Sequence, residues 1–170
     1  MNYMESGMDF SPLFTKEKSI YIEKSSFLSG IGKGVKSVEF ITLLGGKLYF
    51  IEAKGSAPNP KNPEGKDNVL KYCQELLEKM QHSLDLFVSR EIGVNEDSGS
   101  EFPNCFDENR LANCKIVFML IIRGHKKEWC SDIQTALQRE LIALRKIWRM
   151  DVVVLNDEQT CKRRFIAEIA

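Results

Sequence analysis

Glu39, Glu52 and Lys54 are the residues of this chain whose types and spacing could do chemistry. They sit in two β-rich runs, KSVEFITL (36–43) and KLYFIEAK (47–54), divided by Gly45-Gly46. A two-glycine break between such runs predicts a hairpin with a two-residue turn. That turn sets Leu43 opposite Leu48, Ile41 opposite Phe50 and Glu39 opposite Glu52. Alternation then projects Glu39, Ile41, Leu43, Leu48, Phe50, Glu52 and Lys54 from one face. Opposed residues place their Cβ atoms about 5 Å apart. Two carboxylates at that distance repel, and apolar neighbours add a desolvation penalty. Lys54, diagonal on the same face, supplies one compensating charge, and a divalent cation would supply the rest. Oxygen ligands suit Mg²⁺ or Mn²⁺, which keep waters and take phosphate oxygens from a substrate. Such an ion activates water and stabilises a phosphoryl transition state. A plainer reading stands beside this one. Both glutamates could lie on a solvated sheet face, with Lys54 as a cross-strand ion-pair partner, and a one-residue change of register would separate them. The spacing alone is not distinctive, because Glu64-Gly65-Lys66 repeats it in an evident loop.

The elements that must position these residues are legible in outline. GSAPNPKNPEG (55–65) holds three of the five prolines and predicts a loop. From Asn68 the period changes: Val69, Cys73, Leu76, Leu77, Met80, Leu84, Phe87 and Val88 predict a long amphipathic helix ending near Gly93. Residues 94–109 carry five acidic side chains and no Lys or Arg, and read as part of a solvated, mobile acidic loop spanning 94–112. KIVFMLII (115–122) is an unbroken apolar run, expected of a strand buried on both faces. Ile133, Leu137, Leu141, Leu144 and Trp148 predict a second helix with Trp148 in the core or an interface, DVVVL (151–155) a further strand, and EQTCKRRFIAEI a last helix. Helices between the later strands imply crossovers. The expected fold is therefore α/β (α+β): a central mixed sheet with an antiparallel hairpin, flanked by helices, in one domain over residues 1–170.

Composition narrows the class without naming a function. The 170 residues carry 24 Lys+Arg against 24 Asp+Glu, with 43% hydrophobic and 28% charged residues. These proportions exclude a disordered chain or a fibre. Zero net charge excludes a uniformly basic nucleic-acid coat but leaves room for a local basic groove. Five scattered cysteines do not form a disulfide framework. MNYMESGMDF lacks the basic and apolar regions of a secretory signal, and no apolar run reaches the ~18 residues of a membrane span. The expectation is a soluble, cytoplasmic protein with no membrane contact.

Glu39, a spacer of twelve residues, and Glu52-Ala53-Lys54 resemble the signature of the PD-(D/E)xK nuclease superfamily, which includes restriction endonucleases. The order of elements also resembles that superfamily's core of helix, three antiparallel strands, helix and strand. Residues 11–35 should then supply the first helix and first strand. The pattern departs in placing Glu39 where an Asp is usual, with no Pro before it. The resemblance implies a restriction-endonuclease-like fold and phosphodiester hydrolysis, in DNA more often than RNA. Glu39 and Glu52 would bind Mg²⁺ or Mn²⁺, helped by the Ala53 carbonyl, and Lys54 would position or deprotonate the attacking water. Glu17 or Glu23 would be a further acidic residue, and Lys71 or Gln74 an assisting polar residue on the following helix. Lys33, Lys36, Lys61, Lys66, Lys71 and Gln74 would meet nucleic acid, as would Arg123, Lys126 and Lys127. Such groups position phosphates without reading sequence. A chain this short would work as a homodimer or within a larger complex. The alternative is a catalytically inactive member of the same fold, acting as a binding or assembly module.

Other signals carry less. Gly30-Ile31-Gly32-Lys33-Gly34-Val35-Lys36-Ser37 lacks the second glycine of a phosphate-binding loop and leads into a strand. With only His82 and His125, and no Cys-x-x-Cys pair, a structural zinc site is not expected. His82 reads as a surface helix residue, His125 as a loop residue and Cys73 as core.

Overall fold

The computed structural model describes residues 3–96, 99–106 and 114–165. Gly45 and Gly46 adopt φ +56° and +71°, the left-handed pair that a tight hairpin requires and that glycine adopts without strain. They join β4 (Phe40–Leu44) to β5 (Lys47–Lys54). The pairing is the one anticipated, with Ile41 opposite Phe50 and Leu43 opposite Leu48. Strand β3 (Ser19–Tyr21) pairs antiparallel to the outer edge of β4. On the other side, β6 (Lys115–Ile122) runs parallel to β5, and β7 (Asp151–Asn156) parallel to β6. The result is a five-stranded mixed sheet ordered β3-β4-β5-β6-β7.

The crossover from β5 to β6 contains helix α2 (Gly65–Glu91), and that from β6 to β7 contains α3 (Lys127–Glu140) and α4 (Ile142–Trp148). Buried Val69, Cys73, Leu76, Met80 and Leu84 of α2 share one core with Ile41, Leu48 and Phe50 of the hairpin. Glu39 and Glu52 belong to this helix-covered side. The opposite face carries Phe40, Ile51, Ala53, Met119 and Ile121, against Met8, Phe10, Leu13 and Phe14 from the N-terminus. Period-two alternation in the hairpin thus feeds two separate cores.

Several expectations change. The first strand precedes the first helix: β3 is followed by a 3-10 turn (Ile22–Lys24) and then by α1 (Ser26–Ile31), which Ser25 caps. The N-terminal residues, left without a predicted element, form the ribbon β1 (Met4–Glu5) and β2 (Met8–Asp9). The acidic stretch is not solvated throughout. Phe102 and Phe106 are buried and stack around Phe87, so its aromatic residues cover the end of α2; residues 97–98 and 107–113 lie outside the described residues. The second predicted helix is two, divided at Leu141. Trp148 is not in the core, because α4 buries no residue; with Ile142 and Ile147 it is exposed. The last helix, α5 (Asp157–Lys162), ends before Arg163 and carries a capping box from Asn156 and Gln159; residues 166–169 of its pattern lie outside the described residues. Cys73, Cys130 and Cys161 are free thiols. Among the described residues no helix is long and apolar enough to cross a membrane.

Candidate functional site

Glu39 lies one residue before the first paired residue of β4, and Glu52 lies two residues before the end of β5. The hairpin register brings them to the same end and face of the sheet, and α2 closes over them. Both are buried, at 3% and 0% exposure. The solvated-face reading is therefore overturned. Glu39 Oε2 accepts a 2.7 Å hydrogen bond from the Ala53 N–H, which pins its carboxylate against β5 beyond the last ladder pair. Lys54 Nζ stands 2.6 Å from Glu52 Oε1, with its side chain partly exposed.

A second ammonium arrives from the helix. Lys79 Nζ is 2.8 Å from Glu52 Oε1, 3.5 Å from Glu39 Oε1 and 3.6 Å from Glu23 Oε1. Glu23, in the 3-10 turn, thus joins the site, whereas Glu17 is exposed and makes none of these contacts. Among the described residues, the buried hydroxyl of Tyr72, also on α2, has no hydrogen-bond partner, and neither has the buried Glu52 Oε2.

Burial first, and the adjacent Glu52 charge second, push the Glu39 carboxyl well above the usual carboxylate range. For Lys79, burial acts to lower the ammonium, but the charges of Glu52, Glu39 and Glu23 outweigh it and hold it raised. The Tyr72 hydroxyl is raised by burial and then by Glu52, so it stays a neutral phenol. The cluster is a buried pair of carboxyl groups, with Glu39 driven toward its neutral form, beside two ammonium groups from different elements.

The Ala53 carbonyl, expected as a metal ligand, accepts a 3.0 Å hydrogen bond from Ser6 Oγ in the turn of the β1–β2 ribbon. The neighbouring Gly7 lies against Arg123, where a Cβ would come within 2.1 Å of Nη1. Arg123 N donates to the Lys54 carbonyl at 2.9 Å, while its guanidinium turns to Gly7 of the ribbon.

Of the residues expected to meet nucleic acid, Lys33, Lys61, Lys66, Lys71 and Gln74 are exposed. Lys36 is tied to Glu78 at 2.6 Å. Lys71 and Gln74 are on the exposed face of α2, and the α2 residues that reach or approach the carboxylates are Lys79 and Tyr72. These two lie seven positions apart, two turns of one helix face, and that spacing was the available signal. His82 accepts from the Lys36 N–H, while His125 lies on the loop before α3, as expected, and is buried against Trp129.

Do the residues fit a divalent ion? Among the described residues no three His, Cys, Asp or Glu side chains are grouped to hold a metal. Mg²⁺, however, is commonly held by one or two carboxylates, with waters and substrate phosphate completing its shell. Glu39 and Glu52 meet that requirement, and the unpartnered Glu52 Oε2 leaves an oxygen free to take part.

No protein-family model, curated protein or solved structure matches this chain.

Proposed function

We propose that this chain is a metal-dependent phosphodiesterase of nucleic acids, DNA before RNA, with a restriction-endonuclease-like core. One observation carries the reading: Glu39 and Glu52 are buried at one end of a hairpin with Lys54 2.6 Å away, and Glu52 Oε2 has no partner. Burying two carboxyl groups and the lysines that offset them costs desolvation that an apolar cluster would not, so stability alone gives little reason for the set. Glu39 and Glu52 would hold Mg²⁺ or Mn²⁺. When bound, such an ion would polarise a phosphoryl oxygen and lower the pKa of a coordinated water.

The remaining roles belong to the chain itself. Lys54, half-emerged and anchored by Glu52, can orient a water or a non-bridging phosphate oxygen. Lys126, exposed on the loop after β6, would offer charge to the flanking phosphates. Exposed Lys61 and Lys66, on the loop after β5 and the first turn of α2, would extend that path. The architecture supports the reading through β3–β4–β5 pairing antiparallel, then α2, then a parallel β6. It departs from the superfamily's order in that α1 follows the first strand.

A second reading, a non-catalytic binding or assembly module, is favoured by one specific observation. Lys79 already neutralises the carboxylates without an ion. The deciding experiment incubates the purified protein with linear DNA, circular DNA and RNA, with Mg²⁺ or Mn²⁺, beside a Lys54→Ala control. Cleavage that the control lacks supports the hydrolase. No cleavage, together with no Mn²⁺-induced rise in melting temperature, supports the module.

A further inference from the structure

Lys79 places one ammonium among three carboxylates, where a cation would sit. Its distances to Glu52, Glu39 and Glu23 are 2.8, 3.5 and 3.6 Å. Glu52 Oε1 receives Lys54 as well, at 2.6 Å. A divalent ion held between Glu39 and Glu52 would stand beside both ammonium groups, whichever Glu52 oxygen it used, and like charges at such separations repel strongly in a water-poor site. One lysine has to leave. Lys54 is anchored on a central strand of the sheet, and among the described residues it forms an ion pair with Glu52 alone. Lys79 sits on a helix, at the end of a flexible four-carbon stem. Its third partner lies outward: the Glu23 side chain is 38% exposed, whereas those of Glu52 and Glu39 are 0% and 4%. Lys79 can therefore surrender the two inner carboxylates and keep an ion pair at the rim.

Resting on the metal-site reading above, we propose that Lys79 is the gate of this site: it competes with the divalent ion for Glu39 and Glu52, and Glu23 is the berth that receives it when the ion enters. The measured affinity for metal is then the intrinsic affinity reduced by the fraction of molecules with Lys79 swung out.

Calorimetric titration with Mn²⁺, without nucleic acid, tests this on wild type, Lys79→Met, Glu23→Gln and the double variant. Lys79→Met binds Mn²⁺ roughly tenfold tighter or more, as expected if the open state is at most about a tenth of the population. Glu23→Gln, a change at the rim, binds more weakly than wild type. It has no effect once Lys79 is Met, because the berth then has no occupant. Should Lys79→Met fail to fold, amine acetylation of the wild-type protein decides: Lys79 labels faster at saturating Mn²⁺ than in its absence. Equal Mn²⁺ affinity in wild type and Lys79→Met, binding to neither, or unchanged labelling overturns the gate. Tighter binding by Lys79→Met with no cleavage by any variant leaves the gate standing and removes the hydrolase. Cleavage by a wild type whose metal affinity is indifferent to Lys79 does the reverse.

Discussion

Glu52 on β5 and Lys79 on α2 meet at 2.8 Å between a carboxylate oxygen that is fully buried and an ammonium that is nearly so. This contact joins the central strand to the helix that covers it, in a place where an apolar pair would normally serve. Its cost in desolvation is recovered only with good geometry and further partners, and here Lys54, Glu39 and Glu23 supply them.

Lys54→Ala tests the chemistry most directly. If Lys54 orients water or phosphate, its loss lowers phosphodiester hydrolysis by about 10²–10⁴-fold, the range typical of a positioned proton-transfer group. Its side chain is partly exposed, so the melting temperature in metal-free buffer changes little. Single-turnover cleavage and a thermal scan of the same preparation check both halves.

The raised Glu39 pKa makes stability depend on pH. A carboxyl whose folded pKa exceeds its unfolded value binds its proton more tightly when folded. Its contribution is complete below the ordinary carboxylate range and is lost as pH rises toward the raised value. The metal-free protein therefore loses stability from about pH 4.5 to about pH 9, and Glu39→Gln flattens that decline. Urea denaturation across this interval, with a chelator present, reads the slope directly.

Tyr72→Phe removes a buried hydroxyl that has no partner. Deleting such a group is neutral or stabilising by up to about 1 kcal/mol. A urea titration showing a loss of stability would establish a hydrogen bond to this hydroxyl. Reduced hydrolysis at unchanged stability would assign it to the substrate.

Gly7→Ala tests the turn that carries Ser6 to the Ala53 carbonyl. Gly7 has φ +74° and faces the Arg123 guanidinium. The left-handed conformation alone costs an alanine roughly 1–2 kcal/mol, and the side chain of Arg123 must also shift. A lower urea midpoint is expected.

Phe106→Ala separates the buried part of the acidic stretch from a solvated loop. Phe106 is fully buried beside Phe87 and Phe102, so truncation costs about 3–5 kcal/mol. Trp148→Ala, on the exposed face of α4, costs far less. The same urea midpoints, compared side by side, give the contrast.

The legible part of this protein is the part that depends on neighbours in the chain. Gly45-Gly46 dictates a turn, the turn dictates register, and register with alternation brings Glu39, Glu52 and Lys54 to one face. The apolar run of β6 and the helical period of α2 are local in the same way. Local pattern did not reveal which helix face would lie over the carboxylates. Lys71 and Gln74 are as polar as Lys79, and only the packing of Val69, Cys73, Leu76 and Met80 against the sheet turns Lys79 inward. Glu23 differs from Glu17 only because the chain bends into a 3-10 turn after β3. Ser6 finds the Ala53 carbonyl because the N-terminal ribbon covers the far face of the sheet. Each of these contacts closes between residues distant in sequence, and its energy depends on burial that exists only after the layers have docked. Alternation and turn chemistry are properties of a segment, whereas desolvation and the partners that offset it belong to the assembled fold.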